Sequence, residues 1–213
     1  MVQKSLIKVI GIDLSASEKR GSGLCFLDEK LYAKCRTIYK DQEMVEIVKK
    51  YKPDIVGIDA PLSLPLGRKN IFRKSNIHFR KCDKQLWELK IKFFPITLGP
   101  MRRLTERGIK IRRMLENLGF KVIEVYPGAT QDLLGIPRKQ KGLEKLKKGL
   151  EKFGIKLENR KLTGDELDAV TAAYTAYLFL KGLAIEIGDK REGTIVVPIK
   201  EKLNFSPSNT KKI

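Results

Sequence analysis

Apolar runs alternate with amphipathic segments along the chain, and this alternation predicts a mixed α/β protein. The runs at 6–14, 54–59 and 121–125 are almost continuously apolar, which is typical of strands buried on both faces. Shorter apolar runs on either side of the turn Asp28-Glu29-Lys30 predict a hairpin. Helical periodicity predicts helices at about 41–52, 99–119, 139–153 and 165–180. A last apolar run, 193–198, predicts an edge strand.

Hairpin-linked strands followed by crossover helices predict a single domain, 1–213, in which helices cover a mixed sheet. The pattern breaks down in residues 62–100, a segment too long for an ordinary connection. We interpret this segment as a basic insertion between the fourth strand and the following helix. It is expected to contain a short helix at about 83–92.

The charge of the chain narrows the class of partner. Lys and Arg total 44 against 25 Asp and Glu, a net charge of +19, which favours nucleic acid or an acidic membrane surface. Enrichment in Lys and Glu is also typical of thermophilic proteins, but it does not explain the imbalance between the two signs. The sequence has no apolar run long enough to span a bilayer and no signal-peptide pattern. We therefore expect a cytoplasmic protein whose partner is DNA or RNA.

Carboxylates stand at or near the ends of the predicted buried strands. Asp13 ends the first, Asp59 ends the run at 54–59, and Glu124 lies near the end of the third. Reactive groups gather at strand ends in open α/β sheets, so these side chains are expected to converge. Each also has a structural interpretation: Asp13 and Asp59 could be turn residues, and Glu124 could pair with a basic residue.

The predicted helix 165–180 adds two further acids. Thr163 and Glu166 have capping-box spacing, which places the start of the helix near Gly164. Asp165 and Asp168 then lie on one face, although Asp165 could simply favour the helix dipole. The helix is apolar nearly all round, so Asp168 is predicted to be a buried charge. A small-residue surface suited to packing on a sheet follows, formed by Ala169, Ala172, Ala173 and Ala176.

Converging carboxylates form a hard, oxygen-rich site that suits Mg²⁺ or Mn²⁺. Two such ions can clamp the attacking and leaving oxygens of a phosphodiester. The candidate catalytic residues are Asp13, Asp59, Glu124, Asp165 and Asp168. The candidate metal ligands are Asp13, Asp59, Glu124 and Asp168.

Basic and aromatic residues near these acids are candidates for substrate contacts. Arg102 and Arg103 begin a predicted helix, where phosphate is favoured. Arg68 and Lys69 lie in the basic insertion, and Tyr126 could sit beside the scissile group or pack in the core. The aromatic residues expected to pack the insertion onto the core are Trp87, Phe93 and Phe94.

Six motifs in fixed order resemble the domain-of-unknown-function 429 family, regarded as predicted nucleases of the ribonuclease H-like fold. They are GIDLSAS, GIDAPLSLP, RKCD, FPITLGPMRRLTERG, VIEVYPGATQDLLG and GDELDAVTAAYTAYL, and the likeness covers about residues 9–198. The resemblance implies a five-stranded sheet with an acid on the first strand, here Asp13. It also implies an acid ending a later strand, Asp59 or Glu124, and one on the last core helix, Asp165 or Asp168. In ribonuclease H-like enzymes such acids bind divalent ions for phosphodiester hydrolysis, and the RKCD stretch implies that Arg80 lines the site.

The sequence thus predicts a metal-dependent nuclease acting on DNA or RNA. The first alternative is a non-catalytic basic nucleic-acid-binding module whose acids are structural. The second is an actin-like ATP-dependent phosphotransferase, in which the first strand also ends in a Gly-x-Asp turn. That architecture normally contains two copies of the fold, whereas this sequence shows one copy and no phosphate-binding P-loop motif.

Overall fold

In the computed structural model, which describes residues 6–203, seven strands form one mixed sheet in the order β3-β2-β1-β4-β5-β7-β6. The strands are β1 (Lys8–Asp13), β2 (Ser22–Asp28), β3 (Ala33–Ile38), β4 (Ile55–Asp59), β5 (Val122–Val125), β6 (Ala184–Asp189) and β7 (Gly193–Pro198). The helices are α1 (Asp41–Tyr51), α2 (Lys81–Glu88), α3 (Gly99–Glu116), α4 (Pro127–Leu134), α5 (Leu143–Glu151), α6 (Gly164–Leu180) and α7 (Lys200–Leu203), with a 3₁₀ turn at Lys139–Lys141. None of these helices, within the part of the chain described, is both long and apolar enough to cross a membrane.

The predicted α/β class, a mixed sheet flanked by helices, is confirmed, but the expected count of five strands is wrong. β1 pairs antiparallel with β2 and parallel with β4, and β4 pairs parallel with β5. β7, expected at the edge, lies inside the sheet because β6 pairs with it on its outer side. β6 was not predicted. It is an edge strand that is largely solvated, and its sequence AIEIGD contains no continuous apolar run.

The two faces of the sheet are covered by different helices. α6 packs on one face, with α5 beside it, while α1 and α3 pack on the other. The predicted small-residue surface of α6 is confirmed at the strand it crosses: a Cβ on Gly11 would lie 2.1 Å from the carbonyl oxygen of Ala169. Only glycine tolerates so close an approach. This close packing brings the first turn of α6 beside the carboxyl ends of β1 and β4.

The insertion, residues 62–100, lies between β4 and α3 as predicted, and α2 is its helix. Phe79, Trp87 and Phe93 pack together, with ring centroids 4.4 Å apart for Phe79–Trp87 and 5.6 Å apart for Trp87–Phe93. The expectation that Phe94 also packs is wrong, because this residue is 69% exposed. The insertion therefore has an aromatic cluster of its own, but it also exposes ring surface to solvent at Phe94, at Trp87 (52% exposed) and at Phe72 (45% exposed).

Candidate active site

Strand register and helix packing bring four carboxylates to one edge of the sheet. Asp13 and Asp59 are direct partners in the parallel pair β1–β4, so their side chains share a face and their backbones lie about 4.8 Å apart. That face carries α6, whose first two turns bring Asp165 and Asp168 to the same edge. The side chain of Asp168 is 9% exposed, whereas that of Asp165 is 57% exposed. Asp165 therefore stands at the rim of this carboxylate cluster.

The position of α6 is fixed by the capping box that its sequence predicts. The hydroxyl of Thr163 accepts a hydrogen bond from the backbone N–H of Glu166 at 3.1 Å. The carboxylate of Glu166 accepts one from the backbone N–H of Thr163 at 2.9 Å. Because both ends of this exchange are present, the helix starts at a defined residue, and Asp165 and Asp168 take defined positions one turn apart.

A lysine from a distant segment lies among the four carboxylates. Nζ of Lys139 lies 2.8 Å from Oδ2 of Asp168, 3.2 Å from Oδ1 of Asp165 and 3.7 Å from Oδ2 of Asp13. Sequence reasoning missed this residue. It is one of 44 Lys and Arg residues in the chain, and nothing in its local sequence distinguishes it from the others.

The cluster contains more acidic groups than this lysine could balance if all of them were ionised. Burial, together with the charge of Asp168, raises the pKa of Asp13 to about 8. Burial and the neighbouring charges of Asp13 and Asp168 likewise raise the pKa of Asp59 well above its ordinary value. Although burial opposes its charge, the carboxylates of Asp168 and Asp13 raise the pKa of Lys139. The acids of the cluster thus resist carrying their charges together, and Lys139 is the cation that lies among them.

Asp168 is held in place by α4, a helix that the sequence analysis did not predict. The side-chain amide of Gln131 donates hydrogen bonds to Oδ1 of Asp168 at 2.8 Å and to the hydroxyl of Thr171 at 3.1 Å. A signal for α4 was present, because Pro127 stands at its first position and Gly135 follows its end in a left-handed conformation. Gln131 leaves the second oxygen of Asp168 for the cation.

Glu124 does not join the cluster. The structure gives it a structural role in place of the catalytic and metal-binding roles that the sequence predicts. Its partner across β4–β5 is Ile58, one residue before Asp59, so its side chain projects to the opposite face of the sheet. There its two oxygens accept hydrogen bonds from the guanidinium of Arg80, both at 2.6 Å. One of them also accepts the backbone N–H of Leu62 at 2.7 Å. Glu124 therefore fastens the start of the insertion to the end of β5.

Three of the predicted substrate-binding residues are engaged within the protein. The Arg80 side chain is 1% exposed and is bound by Glu124 and Asp83, so direct contact with substrate phosphate does not fit its position. Arg68 is buried and donates to the backbone carbonyls of Ile71, Arg73 and Ile77, which shapes the insertion. The Nε of Arg102 donates to the carbonyl of Thr97 at 2.7 Å.

The other three candidates lie in different places. Lys69 and Arg103 are exposed, but neither lines the cavity beside the carboxylates. Tyr126 does line it, and its hydroxyl donates to the backbone carbonyl of Lys92 at 2.6 Å while accepting a hydrogen bond from Arg138 at 3.1 Å. Tyr126 and Arg138 thereby hydrogen-bond the insertion to the edge of the sheet.

A cavity of about 280 Å³ opens between the carboxylate cluster and the insertion. Asp59, Asp168 and Lys139 lie on its polar side. Its apolar side is formed by Phe93, Phe94, Ile96, Met101 and Leu104. A group that enters this cavity contacts carboxylate oxygens on one side and an aromatic surface on the other.

The donor chemistry of the cluster fits a hard divalent ion. No three His, Cys, Asp or Glu side chains in residues 6–203 are already arranged around a point where an ion could sit. The side chains of Asp13, Asp59 and Asp168 nevertheless offer only oxygen, which Mg²⁺ and Mn²⁺ prefer. With Asp165 they number four acids against the one ammonium of Lys139, so a divalent ion would relieve repulsion that the protein alone leaves in place.

Comparison with known proteins gives one family and one fold. A family model described as "Protein of unknown function (DUF429)" matches residues 11–193, whereas no curated protein matches the chain. Among solved structures, the chain is similar to Thermus thermophilus RuvC in complex with a Holliday junction substrate, with 13% identity, a TM-score of 0.52, and coverage of 83% of this chain and 97% of that chain. A second Thermus thermophilus RuvC structure gives 12% identity, the same coverage and a TM-score of 0.47. The first match confirms the ribonuclease H-like fold that the sequence motifs imply.

Proposed function

The chain belongs to the DUF429 family, and we propose that it is a divalent-metal-dependent nuclease that hydrolyses phosphodiester bonds in DNA or RNA. The observation that carries the proposal is the convergence of Asp13, Asp59 and Asp168 from β1, β4 and α6 at one edge of the sheet. Burial and the neighbouring acidic charges raise the pKa values of Asp13 and Asp59. Ionised acids in such positions lower the stability of the folded state. A site that bears this cost is a candidate for function rather than for stability.

Each residue of the cluster has a defined part in this proposal. Asp13, Asp59 and Asp168 would hold Mg²⁺ or Mn²⁺, and Gln131 fixes the orientation of Asp168. A divalent ion there would activate water and neutralise the charge that develops on the phosphate. Asp165, at the exposed rim, would add negative charge without needing to contact the ion directly.

Nucleic acid is the proposed substrate because of the net charge of the chain and the residues that line the cavity. The net charge of +19 favours a polyanion, although the catalytic pocket itself is acidic. Arg138 and Lys139 line the cavity, where they can contact a phosphate, and the exposed ring of Phe94 is available to stack on an unpaired base. The Thermus thermophilus RuvC in the comparison was solved with a Holliday junction substrate, which supports nucleic acid as the substrate class.

A cleavage panel tests this proposal. Purified protein is offered single-stranded, duplex and branched DNA and RNA with Mn²⁺, with Mg²⁺, and with excess chelator. We expect cleavage of at least one substrate with a divalent ion and none with chelator, because the carboxylates alone supply no strong nucleophile. Cleavage that persists undiminished in chelator contradicts the metal-dependent part, and no cleavage of any substrate contradicts the enzymatic part.

The position of Lys139 favours a second candidate, a non-catalytic nucleic-acid-binding module. An ammonium ion 2.8 Å from Asp168 already supplies part of the positive charge that a metal ion would bring. In that case nucleic acid would bind without being cut, and Asp13→Asn would leave binding intact or tighten it, since it removes a negative charge. Binding measured by fluorescence anisotropy beside the cleavage panel distinguishes the two functions.

A further inference from the structure

We propose that Lys139 is an internal competitor of the divalent ion, so that metal binding and the contact of Lys139 with the carboxylates exclude each other. This inference rests on the proposed function and adds a means of regulating the same site. It concerns a residue that the sequence motifs do not single out.

The contacts of Lys139 are those that a metal ion would need. Its ammonium lies 2.8 Å from Oδ2 of Asp168 and 3.7 Å from Oδ2 of Asp13, two oxygens that come from different elements. An ion bound by these oxygens would lie at about 2.0–2.6 Å from each of them. Gln131 occupies the other oxygen of Asp168, so the ion and the ammonium must use the same one. Two cations so close together repel strongly, and one of them has to leave.

Lys139 is able to leave without disturbing the core. Its side chain is 35% exposed, and its flexible four-carbon stem can carry the ammonium into solvent. The 3₁₀ turn that holds it contains no buried residue. This turn lies between Gly135 and Gly142, whose φ angles of 68° and 116° mark it off from α4 and α5. The fold thus places a movable cation on a short segment beside a fixed set of acids.

The displaced ammonium would stay close to the proposed reaction. Lys139 and its neighbour Arg138 both line the cavity of about 280 Å³, where a substrate phosphate would enter. In the metal-free state Lys139 therefore occupies the carboxylate oxygens that a metal ion would use. In the metal-bound state its ammonium becomes available to the phosphate. Metal and substrate would then favour the same displaced position of Lys139. The metal ion would gain the oxygens that Lys139 leaves, and the phosphate would gain contact with its ammonium.

Calorimetric titration with Mn²⁺ alone tests the proposal without any measurement of activity. Lys139→Met removes the ammonium but keeps a long side chain. Lys141→Met is the matched control, because Lys141 lies in the same 3₁₀ turn, is exposed and contacts no carboxylate among the described residues. We expect Lys139→Met to bind Mn²⁺ about tenfold tighter than wild type, within the usual range of couplings between competing ligands. Lys141→Met should bind with wild-type affinity.

A second readout covers the case in which Lys139→Met folds poorly. The melting temperature of Lys139→Gln, with and without Mn²⁺, is compared with that of wild type. We expect the metal-free variant to be less stable, because the carboxylates lose their counter-ion. We also expect Mn²⁺ to raise its melting temperature by more than it raises that of wild type, because the ion no longer displaces an internal cation.

The outcomes separate this inference from the proposed function. Tighter Mn²⁺ binding by Lys139→Met, or binding by the variant where wild type shows none, supports competition. Equal or weaker binding by Lys139→Met, with wild type binding Mn²⁺, overturns the competition and leaves the metal site standing. No binding by either protein overturns both.

Discussion

Asp13→Asn and Asp168→Asn are each expected to lower metal-dependent cleavage by about 10³-fold or more. An amide oxygen is neutral and holds a divalent ion less well than a carboxylate oxygen does. Loss of one ligand removes several kcal/mol of transition-state stabilisation, and each ~1.4 kcal/mol is tenfold in rate. Both residues belong to the cluster, and neither pairs with an arginine within the described residues. The measurement is the initial rate on the best substrate of the cleavage panel, at saturating Mn²⁺.

The matched control is Asp28→Asn. Asp28 ends β2 opposite Lys8, at the other end of β1 from Asp13, and accepts a hydrogen bond from the backbone N–H of Tyr32. Asparagine retains that acceptor, so this variant should cleave at the wild-type rate. An Asp13→Asn protein that keeps a tenth or more of the wild-type rate would contradict the assignment of Asp13 as a ligand.

The same Asp13→Asn change should not destabilise the metal-free protein, and this separates loss of a ligand from loss of the fold. Because the pKa of Asp13 is raised to about 8 in the fold, the folded state binds its proton more tightly than the unfolded state does. The contribution of Asp13 to stability therefore falls as pH rises from about 4, its ordinary pKa, to about 8. In chelator, Asp13→Asn should gain stability over wild type at pH 8 and gain less at pH 5, as measured by thermal unfolding.

Arg80→Met is expected to cost about 3–5 kcal/mol of unfolding free energy, because it leaves the buried carboxylates of Glu124 and Asp83 without a cation. Arg80 donates to both oxygens of Glu124 at 2.6 Å and to Asp83 at 2.9 Å and 3.3 Å, and its side chain is 1% exposed. For a chain of this size the melting temperature should fall by about 6–20 °C. Thermal and urea unfolding measure the change.

Two further variants serve as controls for Arg80→Met. Arg36→Met breaks an exposed ion pair with Glu43 at 3.1 Å and should cost less than about 1 kcal/mol. Glu124→Gln combined with Arg80→Met removes one of the two unpaired charges, so the double variant should be more stable than Arg80→Met alone. Equal stability of wild type and Arg80→Met would contradict the structural role assigned to the Arg80–Glu124 pair.

The sequence was sufficient to predict the α/β class, the order of most elements and the meeting of Asp13, Asp59 and Asp168. These three residues were predictable because Asp13 and Asp59 end buried strands whose carboxyl ends meet at one edge of the sheet, and Asp168 lies on a helix that is apolar nearly all round. The capping box of α6 fixed the position of Asp168 in advance. Such features depend on local sequence, which is why they could be inferred without coordinates.

The errors arose where register or distant contacts decide the outcome. Glu124 resembles Asp59 in sequence, yet its register partner is Ile58, and a shift of one residue turns a side chain to the other face. Lys139 reaches Asp13 and Asp168 across gaps of more than a hundred and of about thirty residues, which no local pattern reveals. Arg80 was predicted to bind substrate, and its burial could not be inferred because it depends on two acids, only one of which is near it in sequence.

The most direct test of the central claim is an anomalous difference map from crystals of the wild-type protein grown or soaked with Mn²⁺. The claim is that carboxylates from β1, β4 and α6 jointly hold a divalent ion. We predict a peak bounded by Asp13, Asp59 and Asp168, with the ammonium of Lys139 turned away. A map in which Mn²⁺ binds only elsewhere, while Lys139 keeps its contact with Asp168, would contradict it.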